Sequence, residues 1–147
     1  MNTGVKANHA RPLLQLPLLA TAAIDTAMVV VFAASGRRSH DEHLTVLGIL
    51  DTAWPFLAGA AVGWSLMYVY AHVGSPDSTG TRTFRPERVV PFGIVVWILS
   101  VAIGMTLRAV LNQGTAAAFI GVATLSLGIF LIGWRVVANR VYQMFQR

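Results

Sequence analysis

Four apolar runs, Leu13 to Ser35, Leu44 to Tyr70, Val89 to Leu111 and Ala116 to Val137, constrain this chain more than any other feature. Each holds the roughly 20 apolar residues that a helix rising about 1.5 Å per residue needs to cross a hydrocarbon layer about 30 Å thick. Composition agrees: 55% of residues are hydrophobic and 12% are charged, where a soluble domain averages about 25% charged. A soluble core of 147 residues has no use for so much apolar surface. The fold class expected is all-α: one integral membrane domain over residues 1–147, a four-transmembrane-helix bundle with a longer polar loop at 74–88. The location expected is the cell membrane, crossed several times.

Cysteine is absent, which excludes disulfides, thiolate metal sites and catalytic thiols. The formal charge is +5, carried by ten Arg and one Lys. Nucleic-acid binding would need these charges clustered on one water-facing surface; they are scattered over loops and ends instead. The partners expected are the lipid bilayer and its anionic headgroups, and no nucleic acid. Residues 1–11 form a basic leader, with Lys6, His9 and Arg11, that resembles the start of a secretory signal. The run behind it is too long for a signal and contains Asp25, so a retained helix is expected.

The polar residues inside the runs are the functional candidates. Asp25 lies about ten residues from either end of the first run, on one helical face with Thr21, Ala22, Met28, Val29 and Phe32. An ionised carboxylate facing lipid at that depth costs roughly 2.5 to 3.5 kcal/mol, so Asp25 must face protein or water, or keep its proton. In the second run Pro55 has no N–H to donate to the Asp51 carbonyl. Two structures fit: a kinked helix continuous from Leu44, or a shallow Leu44 to Leu50 segment with the true span beginning at Asp51 as N-cap. In the third run Trp97, Ser100, Gly104, Arg108 and Leu111 share a stripe, which points Arg108 into the bundle unless it snorkels to the headgroups. Gly59 and Gly63, Gly104, and Gly121 and Gly128 on a seam with Ala117 and Thr124 are expected at close helix contacts.

The turns carry the remaining signals. Gly36 to His43 holds Arg37, Arg38, His40, Asp41, Glu42 and His43. Two His without a third ligand make a weak metal motif, so the turn is read as interfacial, with Arg37, Arg38 and His40 at the outer face and no metal or cofactor. The 74–88 loop, rich in Gly, Ser, Thr and Pro, reads as a mobile linker whose Arg82, Arg85 and Arg88 touch anionic lipid. Trp64, Tyr68, Tyr70, Trp134 and Arg135 read as packing and interfacial residues, and residues after Val137 as an amphipathic extension on the membrane. Eight Lys and Arg fall at the two ends and the long loop, against three on the other side. By the positive-inside rule both termini are cytoplasmic. Asp25, Asp51 and Arg108 then share the outer half. Counting from the nearest turns puts Arg108 about 6 Å, Asp51 about 10 Å and Asp25 about 16 Å deep. The pairing expected is Arg108 with Asp51, which leaves Asp25 without a permanent cation.

Gly36-Arg37-Arg38-Ser39-His40, the 52–59 segment Thr-Ala-Trp-Pro-Phe-Leu-Ala-Gly, Gly104-Met105-Thr106-Leu107-Arg108 and Gly133-Trp134-Arg135 resemble a domain-of-unknown-function family. Its members are small four-helix integral membrane proteins, mainly actinobacterial. The resemblance covers nearly the whole chain and implies fold and membrane location, with an acid in the first helix matching Asp25. It implies no activity.

Two function classes fit these residues. The first, taken as the working expectation, is an ion- or proton-coupled small-solute transporter or channel, with Asp25 as the exchanging acid and glycine seams that permit helix movement or homo-oligomers. The chain is similar to small multidrug exporters in having four helices and one acid in the first. Their weak charge bias differs from the strong bias here. The alternative is a structural or accessory subunit of a larger envelope or respiratory membrane complex, its buried charges fixing helix register. No HExxH, GxSxG or paired-carboxylate motif speaks for an enzyme.

Overall fold

The computed structural model describes residues 16–39, 44–73 and 84–145, and these are helical almost throughout. In chain order the helices are α1 (Leu18–Ser39), α2 (Val46–Val73), α3 (Ile94–Val110) and α4 (Ala117–Phe145), with a wide π-helical turn at Val89–Gly93 leading into α3. Four spans are long and apolar enough to cross a membrane. The chain is an all-α, multi-pass membrane protein.

Local chemistry sets where each helix starts and stops. Pro17, which has no N–H to leave unsatisfied, accepts the first bond of α1 from Thr21 N (3.1 Å). Thr45 caps α2, its Oγ1 accepting from Gly48 N at 3.1 Å. Helix α2 continues past Pro55 without a break, so the continuous helix is the structure formed and Asp51 is not its cap. Val90 is extended (φ −112°, ψ 132°), as the residue before a proline prefers to be. At the end of α3, Asn112 (φ 55°) takes the left-handed conformation. There Gln113 N donates to Arg108 O at 2.9 Å and Asn112 N to Ala109 O at 3.2 Å, so the last turn closes on its own carbonyls.

The helices pack as antiparallel neighbours, α2 against α3 most extensively. A Cβ on Gly59 would strike the Leu99 carbonyl and come within 2.7 Å of Ser100 Cα, and one on Gly63 would reach Val96 Cα at 2.9 Å. Backbone approach this close needs glycine. Ser100 Oγ donates to the Phe56 carbonyl across the same seam at 2.8 Å, and Gly104 makes room for the Phe56 ring. Phe56 meets Phe32 of α1 edge to face at 5.2 Å. The Trp97 indole of α3 lies on Gly128 and donates to Thr124 O at 2.9 Å, which joins α3 to α4. Gly121 differs from this set: a Cβ there meets nothing within 4 Å.

Two further expectations are corrected. The residues beyond Val137 continue α4 to Phe145 and do not form a separate surface extension. The end of the long loop, 84–88, is folded onto the bundle: Phe84 sits among Trp64, Tyr68, His72 and Phe92, and Glu87 is 3% exposed. An aromatic ring with four ring partners outweighs the turn-forming composition around it. The rest of that loop and residues 40–43, including His40 and His43, lie outside the described residues.

Candidate functional site

Every fourth residue of α1 from Thr21 to Ala33 is buried, and so is every fourth residue of α4 from Ala123 to Arg135. Those stripes bring Asp25 and Arg135 together. Asp25 is 2% exposed and Arg135 0%. The guanidinium grips the carboxylate with both arms, Nη1 to Oδ1 at 2.8 Å and Nη2 to Oδ2 at 2.7 Å. Such forked, charge-assisted pairs are stronger than single hydrogen bonds and fix the relative orientation of both groups.

Two indoles complete the carboxylate's surroundings. Trp134 Nε1 donates to Oδ1 at 2.9 Å and Trp64 Nε1 to Oδ2 at 3.0 Å. A carboxylate offers about four acceptor positions, and here four N–H groups fill them. Arg135 is held in turn: Nε donates to Pro86 O at 3.1 Å and Nη1 to Leu131 O at 2.5 Å. Its Cζ lies 4.6 Å from the Trp134 ring centre and 5.8 Å from that of Phe92. A Cβ on Gly93 would stand 2.8 Å from Arg135 Cδ, so the glycine leaves space for the arginine stem. The cluster thus joins α1, α2, α4 and the 84–93 segment around one neutral ion pair.

This arrangement corrects the expected pairing. Asp25 has a permanent cation, and it is Arg135. Because its partner Arg135 bonds to Pro86, Asp25 lies toward the end of the bundle that carries 84–93, about 10 Å along α1 from Leu18 and away from the Ser39 end of that helix. Arg108 is at the opposite end. Its Nη2 donates to Gln113 O at 2.7 Å and its Cζ stands 4.7 Å above the Phe119 ring, so it serves the end of its own helix and the start of α4. Asp51 is exposed and takes part in no ion pair among the described residues. Arg37 Nη1 reaches Thr52 Oγ1 at 3.4 Å, and its guanidinium lies over Gly48. Arg38 is exposed. Asp25, Asp51 and Arg108 therefore do not form one site.

Sequence reasoning missed Arg135, Trp134 and Trp64 as partners of the acid. A signal existed: Arg135 falls on the same every-fourth stripe as Ala123, Leu127 and Leu131. Beside the cluster, a groove of about 450 Å³ between α1 and α2 is lined by Asp25, Thr26, Leu57, Ala61 and Ser65, among others. Among the described residues no three His, Asp or Glu side chains gather as metal ligands.

Fold and cluster together define a polytopic helical membrane protein closed around a buried ion pair. Residues 22–138 match the family described as a protein of unknown function (DUF3054), and the chain belongs to that family. No curated protein and no solved structure matches it.

Proposed function

We propose that this chain is a structural or accessory subunit of a larger complex in the cell membrane, and that Asp25 and Arg135 clasp its helices without relaying protons. One observation carries the reading: all four acceptor positions of the Asp25 carboxylate are taken by Arg135, Trp134 and Trp64. A carrier acid needs an acceptor position that its proton or ion can reach, and a stable cation beside it removes the reason to bind one. Helix α4 adds support, since only 17% of its most apolar stretch is buried, against 28 to 33% in the other spans. That leaves most of α4 for lipid or for another protein's helices. Both termini are taken as cytoplasmic on the charge bias; single cysteines at Ser39 and Ser78 should then react with an impermeant maleimide from opposite sides, and equal reaction from outside would contradict this orientation.

The second reading, an ion- or proton-coupled carrier, is favoured by the groove that reaches Asp25 between α1 and α2. The two readings part in liposomes. Wild type and Asp25→Asn are reconstituted with an internal pH dye under an imposed proton gradient. The subunit reading expects identical, background flux from both. Flux in the wild type that Asp25→Asn abolishes, with the fold intact, would establish the carrier instead. Stability gives an independent readout: Arg135→Gln alone should be less stable than Asp25→Asn/Arg135→Gln, because the double variant leaves no lone buried charge.

A further inference from the structure

At the 84–93 end of the bundle, beside the Asp25 cluster and sharing Phe92 with it, lies a cavity of about 330 Å³ whose lining includes Met67, Ala71, Phe84 and Phe92, with Arg85 and Arg88 as its charged members. Its two halves ask for different chemistry. The floor is apolar and aromatic, while the rim offers two guanidinium groups. Arg85 Nη1 is buried and makes no hydrogen bond. Its nearest carboxylate oxygen, Glu87 Oε1, is 3.7 Å away, an ion pair beyond hydrogen-bond length. A buried donor in this state is costly unless a ligand oxygen completes it. Arg88 is exposed and can meet the same ligand from the outside.

We propose that this cavity binds one anionic phospholipid, with the phosphate between Arg85 and Arg88 and the first part of an acyl chain over Phe84 and Phe92. Position favours a lipid over a free anion. The cavity sits where α2 ends and the third span begins, the level at which helix ends of a membrane protein meet headgroups. The apolar floor would be wasted on inorganic phosphate. The volume is at the lower end of ligand pockets, enough for a headgroup and the top of one chain and too small for a whole lipid. The inference does not depend on how the Asp25 pair is used.

The test uses the full chain in mild detergent and native mass spectrometry, with phosphatidylglycerol or phosphatidylcholine added. One phosphatidylglycerol should be retained per chain in clear preference to phosphatidylcholine. Each arginine near an anionic surface contributes about fivefold, so Arg85→Gln/Arg88→Gln should weaken retention about thirtyfold and Arg88→Gln alone about fivefold. Arg140→Gln, which removes a charge of α4 outside the cavity, should change nothing. Arg88 is exposed, so its variant should fold even if loss of Arg85 strands the buried Glu87. Equal retention of the two lipids, or equal retention by wild type and Arg88→Gln, would overturn the proposal. So would displacement of the lipid by millimolar inorganic phosphate or by an oligoglutamate peptide, which would identify a free anion or an acidic protein segment as the occupant.

Discussion

At the 84–93 end of the bundle a wholly buried arginine gives four hydrogen bonds to three residues and meets a carboxylate face on. At the other end, Arg108 and Arg37 border a cavity of about 70 Å³; Arg108 bonds to a backbone carbonyl and lies over the Phe119 ring, and Arg37 reaches a threonine hydroxyl. The same side chain therefore does two kinds of work. Arg135 links α1 and α4 to the 84–93 segment, so its removal would strip a buried acid of its counter-charge. Arg108, half-buried, bonds to the backbone carbonyl of Gln113 just past the end of its own helix. Burial of the partner, more than the charge itself, decides how much each arginine matters.

The most severe way to break this contrast is to truncate both arginines. Arg135→Ala should lower stability in detergent by about 3 to 5 kcal/mol, the range for stranding one member of a buried pair. Arg108→Ala should cost less, about 1 kcal/mol, because this half-buried arginine loses one bond to a backbone carbonyl and strands no buried acid. Equal losses in an SDS-unfolding titration would mean that the two ends are not built differently. A smaller effect is expected at the seam between them. Gly59→Leu should cost about 1 to 3 kcal/mol by forcing α2 from α3. Gly121→Leu, with open space above it, should stay within about 0.5 kcal/mol. Thermal melting of both variants checks this, and a large loss at Gly121 would show that α4 has a partner in the purified protein. The finest test is Trp64→Phe. It keeps the ring against Phe92 and removes one donor from Asp25, at an expected cost of about 0.5 to 1.5 kcal/mol. No change in the melt would reduce the indole bond to incidental contact.

The helices were legible because length and hydropathy alone decide what can cross a bilayer. Asp25 was legible as a costly acid for the same reason. Its partner was not. The apolar pattern ends near Val137, so Arg135 reads as an interfacial residue, yet α4 runs on to Phe145 and leaves Arg135 ten residues inside the helix. Trp64 and Trp134 fit an interfacial belt equally well, since residue type does not tell which way an indole points. Glycine spacing marked the α2 and α3 seam but did not separate it from Gly121, because lipid is as apolar as a neighbouring helix and small residues suit either. The folded 84–88 segment was hidden by its own composition, with a single Phe84 among Pro, Arg and Glu.

The Asp25 clasp also bears on how the chain enters the membrane. Its two halves are 110 positions apart, in the first and the last helix. As the polypeptide leaves the ribosome, α1 has to be accommodated while its counter-ion has not yet been translated. Until then the acid must remain near the translocon, at the surface, or with a borrowed proton. Arrival of α4 is the event that discharges this debt, so biogenesis of the bundle is gated by its final segment. A chain truncated before Arg135 would present quality-control proteases with a bare acid in the bilayer and would be marked as unfinished.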